Sequence, residues 1–346
     1  MKDSIFISAC KGEKTERTPI WIMRQAGRYL PEYRAIREKY DFLTSVKTPE
    51  LASEITIQPI DIIKTDAAIL FSDILVIPEA MGMKLEMVES KGPVFNDPIR
   101  RVADLGRLNT ENIVERLDYV MQAVKMTKEK LNNRVPLIGF SGSPWTLACY
   151  MVEGKGSKNF EIIKSFIYNE PEAADRLLQI LADSVVEYLN AKIRAGCDAV
   201  QIFDTWAGLL TPHDFEEFSL RYIRYICENL ETNGAPVIVF AKGVSEYKNL
   251  AKLKCDVLGV DWSRNIGDVR AEIGGAKGLQ GNLDPTVLFA PRDKIREETE
   301  RVLQSYGKHA GHIFNLGHGI TPKTPVENTK YFVECVKELS AKYHAE

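Results

Sequence analysis

The sequence predicts an α/β protein: a single (β/α)8 TIM-type barrel with an N-terminal extension, spanning all of 1–346. Three observations predict it. Short β-rich runs alternate with longer amphipathic segments along the whole chain. Most of the runs are continuously apolar, as strands buried on both faces must be. Polar residues recur just after the runs, at the one edge where barrel enzymes carry their chemistry.

The expected strands, in order, are Ala67–Phe71, Pro136–Phe140, Ala199–Phe203, Val237–Ala241, Val257–Val260, Gly278–Gly281 and Ile313–Leu316, with Ile20–Met23 as an eighth. Glu170–Ala195 reads as a helix, with Pro171 in its first turn, apolar residues at helical spacing, and a stop at Gly196. A second helix opens at Thr211-Pro212 and runs to Gly234, and Thr324 to Glu327 fits a capping box before the last one. Strand and helix in alternation imply parallel strands joined by crossovers. Seven or eight such units favour a closed barrel. An open doubly wound sheet is the alternative, weakened because no Gly-x-Gly-x-x-Gly follows any strand. No linker or repeat divides the chain.

Composition narrows the function. Hydrophobic residues at 45% and charged residues at 27% are those of an ordinary globular protein. A net charge of −3 argues against a nucleic-acid partner, so any anion site must be a local cluster. Six scattered cysteines without a Cys-x-x-Cys pair fit a reduced, cytoplasmic protein. The first residues lack an apolar stretch long enough for a signal peptide, and no run of about 18 apolar residues predicts a membrane span. The five histidines form neither His-x-Cys nor His-Glu-x-x-His, so no metal is expected.

One segment is unusually informative. Pro19 to Arg34 sets Arg24, Arg28 and Arg34 beside Gly27, Trp21, Tyr29 and Tyr33. If the segment is helical, Arg24 and Arg28 share one face, where guanidinium forks suit carboxylates or phosphates. The rings would wall a flat organic polyanion; ordinary surface ion pairs are the plain alternative. After the strands come Asp73, Tyr150, Thr205 and His318. Asp73 sits among apolar neighbours, where a carboxylate needs a partner or a task. His318 lies between two glycines, where backbone can approach a ligand. Each of these residues also has an ordinary structural reading.

Pro19–Arg34, Phe71–Pro78, Gly142–Gly154, Gln201–Gly208 and Asn315–Gly319 together resemble, in order and spacing, the signatures of the uroporphyrinogen decarboxylase family. The resemblance implies a cofactor-free barrel, usually a homodimer, that removes four acetate carboxylates as CO2 from uroporphyrinogen to give coproporphyrinogen in haem biosynthesis. It further implies that Arg24 and Arg28 grip substrate carboxylates, with Gln25 and Ala26 as the backbone stretch between them. Asp73 would meet the pyrrole N–H groups, Tyr150 and His318 would complete the cleft, and Thr205 would stand where some members have serine. Arg24 is a proton-donor candidate by resemblance, although arginine is a reluctant acid; water, Tyr150 or His318 are the others. A cobalamin- or thiol-linked methyltransferase, a non-catalytic tetrapyrrole carrier and a phosphate-binding barrel enzyme are the competing readings. The first needs a His/Cys set that the spacing lacks, and the second needs no Asp73.

Overall fold

The computed structural model describes residues 4–88 and 92–344. Its centre is a curled parallel sheet of seven strands, in the order β1 (Ala68–Ile69), β4 (Leu137–Gly142), β5 (Ala199–Asp204), β6 (Val237–Ala241), β7 (Val257–Gly259), β8 (Gly278–Gln280) and β9 (His312–Ile313). A separate antiparallel hairpin pairs β2 (Leu85–Val88) with β3 (Gly92–Phe95). The seven strands follow the expected runs, with ends shifted: β1 and β9 are two residues long, and β9 begins one residue before its run.

The eighth place is filled by Pro19–Met23, which runs beside β9 as a bridge rather than a full strand. Ile20 pairs in parallel with Phe314. Phe314 N–H donates to Pro19 O at 2.8 Å, and Trp21 N–H to Phe314 O at 3.3 Å. On the other side Asp66 N–H donates to Ile20 O at 2.7 Å, one residue short of the Ala67 that precedes β1. Side chains complete this seam. Asp66 Oδ2 accepts from Ile20 N–H at 2.9 Å and from Arg17 at 2.8 Å, while its Oδ1 takes a second Arg17 bond at 2.7 Å. Asn315 Oδ1 accepts from Met23 N–H at 2.9 Å, and Gln25 Nε2 donates to Ala67 O at 3.0 Å.

Side chains sort into two cores, as a closed sheet requires. Ile20, Ile22, Leu70, Leu137, Val200, Ile202 and Val239 face outward into the layer shared with the helices. Trp21, Met23, Ala67, Ile69, Ile138, Phe203, Ile238 and Val257 fill the interior. The N-terminal extension belongs to the second set: Phe6, Ile7, Ala9 and Cys10 of the Ile5–Cys10 helix pack into that interior cluster. Inside it, Trp21 Nε1 donates to Gln280 Oε1 at 2.8 Å, which satisfies an indole that would otherwise be a costly buried donor. The long crossover helix is Pro171–Ala195, ending at Gly196 as expected.

Three expectations need correction. The helix begun at Thr211 is not continuous: Pro212–Phe215 passes through a π-helical stretch, Glu216–Leu220, into Arg221–Asn229, and stops short of Gly234. The wider turn brings Ser219 to Asp204, whose carboxylate also accepts from Ser143 and Thr146. The last helix begins at Val326, and Thr324's hydroxyl is within 3.0 Å of Thr321's. The segment carrying Arg24 and Arg28 is a run of turns, not a helix. Among the described residues no helix is long and apolar enough to cross a membrane.

The seam yields a stability prediction. Asp66→Ala removes two bonds to Arg17 and strands the buried Ile20 N–H, and should cost about 3 kcal/mol of unfolding free energy. Asp66→Asn, which keeps an acceptor for Ile20, should cost clearly less. Urea unfolding at constant m measures both; equal losses would mean that the ion pair alone matters.

Candidate active site

A cleft of about 460 Å³ opens at the C-terminal edge of the barrel. Met23, Arg24, Ala26, Gly27, Arg28, Tyr29 and Tyr33 form one side, Ser72 and Asp73 follow β1, and Thr205 and His318 follow β5 and β9. Ile69, Phe140 and Phe203 give it an apolar floor, and Met87, Gly92 and Pro93 of the hairpin reach over it. Most of the predicted site residues therefore meet in one place, although 49 residues separate Arg24 from Asp73 and far more separate either from His318.

Arg24 is carried there by backbone geometry rather than helical spacing. It holds a left-handed conformation, φ +63°, which costs a non-glycine residue on the order of 1 kcal/mol and needs support from its surroundings. The support comes from both sides of the seam: Met23 N–H is bound by Asn315, and Met23 O accepts Ile320 N–H at 2.9 Å. Two glycines clear the space. A Cβ on Gly27 would lie 2.9 Å from Arg24 O, and one on Gly319 would overlap the aliphatic part of the Arg24 side chain. Arg24 and Arg28 are both exposed. Neither forms an ion pair among the described residues, so both guanidiniums are available to an anionic ligand.

Asp73 is placed by a rigid loop. Phe71 N–H donates to Thr56 Oγ1 at 2.8 Å, tying the end of β1 to the Pro49–Ile62 helix. Asp73 Oδ1 accepts Leu75 N–H at 2.7 Å. Its other oxygen has no hydrogen bond among the described residues and is open to the cleft. Burial raises the Asp73 pKa above the ordinary aspartate value; Leu75 N–H and the Arg24 charge oppose that rise, and Glu79 adds to it. Burial thus disfavours the charged form of Asp73, and a cation bound in the cleft would restore it.

His318 is mostly enclosed, its ring 6.4 Å from those of Phe240 and Trp262. Burial, then the charges of Arg24 and Lys242, pull its pKa down to about 4, against the pull of Asp261. At neutral pH it is then a neutral imidazole, with no proton to give as an imidazolium acid. Burial also raises the Tyr150 pKa; Trp206 and Arg24 lower it and Asp73 raises it. Tyr150 is not among the residues that line the cleft; its ring lies 6.3 Å from that of Trp206.

Trp21, Arg34 and the side chain of Gln25 are placed outside the cleft lining. Gln25 is buried, its Oε1 accepting from Ile22 N–H at 3.1 Å and its amide donating to Ala67, so it shapes the arginine turn from beneath. Trp21 belongs to the barrel interior and leaves the ring wall to Tyr29 and Tyr33. Arg34 points to the surface of the Pro31–Arg37 helix and does not line the cleft. Sequence reasoning missed the hairpin and Ser72. Four-residue strands carry little periodic signal, and a lone serine after a strand carries none. Among the described residues, no three His, Cys, Asp or Glu side chains are grouped to hold a metal ion.

A model of the uroporphyrinogen decarboxylase (URO-D) family matches residues 1–339. The uroporphyrinogen decarboxylase of Chloroherpeton thalassium is 51% identical over 99% of this chain and 99% of its own length. That of Geobacter metallireducens is 52% identical over 97% and 99%. Among solved structures, a methyltransferase from Methanosarcina mazei superposes with a TM-score of 0.81 over 96% of this chain and 97% of its own, at 22% identity. A putative vitamin-B12-independent methionine synthase from Listeria monocytogenes reaches 0.57 over 95% and 97%, at 12% identity. At those identities the likeness is one of fold alone. With a family match over nearly the whole chain and relatives at half identity end to end, the chain belongs to the uroporphyrinogen decarboxylase family.

Proposed function

We propose that this enzyme is a carboxy-lyase that converts uroporphyrinogen III to coproporphyrinogen III, removing four acetate carboxylates as CO2 without a cofactor. The observation that carries the reading is Asp73, with one oxygen fixed by Leu75 and the other turned to a cleft flanked by Arg24 and Arg28.

Loss of CO2 leaves an electron pair that needs a sink. A pyrrole supplies its own. Protonation of the ring carbon beside the acetate gives a cationic iminium, and the C–C electron pair neutralises it as CO2 departs. A second proton then adds to the exocyclic carbon and the ring proton is released, so each cycle replaces one CO2 with one hydrogen. Asp73 serves the charged stage: its open oxygen accepts pyrrole N–H bonds, and its negative charge favours the cation over the neutral ring. Arg24 and Arg28 hold substrate carboxylates, and Ala26 and Thr205 border the same space. A neutral His318 acts here as a hydrogen-bonding group rather than the acid. Tyr150 stiffens the wall behind Asp73. The same reading has the whole chain working as one catalytic domain, in a cytoplasmic homodimer.

Metal-stripped protein incubated anaerobically with uroporphyrinogen III should yield a ladder of porphyrinogens from eight carboxylates down to four. Oxidation and separation by carboxylate count measures it. Unchanged eight-carboxylate material from folded protein would refute the activity, and turnover only after zinc is restored would refute cofactor independence.

Asp73→Asn should still bind substrate but lose about 10²–10³ in kcat. The pH profile gives a second readout. An aspartate with a raised pKa loses its charge earlier as pH falls, so kcat should decline at a higher pH than an ordinary aspartate would impose. His318 gains charge only near pH 4, so it does not contribute above that. The acid limb should be absent in Asp73→Asn; an unchanged limb in that variant would assign it to another group.

A further inference from the structure

The mechanism leaves one cation at the barrel mouth without a task. Lys242 directly follows β6, four places around the eight-place barrel from the segment that carries Arg24. It is half-buried, and among the described residues it forms no ion pair. Its ammonium instead lies 5.7 Å from the ring centroid of Trp262. Trp262 is itself unusual, a large apolar side chain left 43% exposed at the end of β7. Its ring stands 6.4 Å from that of His318, which lines the cleft.

A carboxylate does stand nearby, but it is already engaged. Asp261 Oδ2 accepts Gly243 N–H at 2.5 Å and its Oδ1 accepts Ser263 N–H at 2.8 Å. Those bonds fix the loops after β6 and β7, and among the described residues Asp261 forms no ion pair with Lys242. Arg24 from the seam and Lys242 from the far side both bear electrostatically on His318. The mouth therefore offers positive charge from opposite sides, with an aromatic face beside the second cation.

We propose that Lys242 and Trp262 form a second carboxylate subsite of the cleft, which holds a side-chain carboxylate that survives the reaction. This rests on the uroporphyrinogen reading above and extends it to the part of the substrate that does not react. Four carboxylates persist to the product, and an anchor for one of them serves every cycle. Lys242 receives the carboxylate, and Trp262 packs against the methylene arm and holds the ammonium in place.

The test is binding rather than turnover. Coproporphyrinogen III carries only the surviving carboxylates and has no acetate to lose, so anaerobic calorimetric titration reads affinity alone. Lys242→Met should weaken its Kd about 10-fold, with the deficit shrinking as salt is raised. Lys242→Arg should return Kd to within about threefold, because the charge is kept. Trp262→Leu, at an exposed position where folding is tolerant, should weaken binding in the same direction. A Lys242→Met Kd within about twofold of the parent would overturn the subsite, as would a parent protein that does not bind this ligand at all. A parent that binds it but leaves uroporphyrinogen unchanged would instead overturn the decarboxylase reading, and the Kd comparison would still decide the role of Lys242.

Discussion

The structure depends on how its seam is closed. Seven strands make a curled parallel sheet, and the eighth place is taken by a segment too irregular to ladder along its length. Asp66 supplies what the missing strand would. It accepts Ile20 N–H, and its own N–H donates to Ile20 O. Burying such a carboxylate is tolerable because Arg17 meets it with two bonds. Asn315 and Ile320 then hold Met23 from the other side, so the chain leaves the seam in a fixed direction.

That exit is where function begins. The residue after the seam is Arg24, in a left-handed turn cleared by Gly27 and Gly319. The strand on the other side of the seam runs into Asp73 within a few residues. One closure thus sets the distance between the groups that grip a polyanion and the carboxylate that faces its rings. The electrostatics follow from the same crowding. Arg24 restrains the rise of Asp73's pKa and helps to keep His318 neutral. A single guanidinium thereby sharpens the contrast between an anion and a neutral imidazole in one cleft.

Much of this was legible in the sequence, for identifiable reasons. Continuous apolar runs such as Val237–Ala241 read as buried parallel strands because helices cover one face and the barrel interior the other. Asp73 stood out because a carboxylate between apolar runs demands an explanation. Arg24 and Arg28 share the cleft through a turn, and the helical spacing that would also have paired them plays no part. Trp21 was misplaced because a local motif shows which residues cluster in sequence, not which side of the sheet each one faces. Asp66 was invisible, since its partners lie 46 and 49 residues back. Lys242 was visible only as the residue that follows a strand; its lack of a counter-ion is a property of the fold.

The central claim is that Asp73's open oxygen meets the pyrrole N–H groups while the arginines hold carboxylates. A crystal structure of the protein with coproporphyrinogen III bound under anaerobic conditions tests it most directly. The account predicts pyrrole nitrogens within about 3.2 Å of Asp73, with Arg24 and Arg28 on side-chain carboxylates. A tetrapyrrole bound with its N–H groups turned away from Asp73 would contradict it.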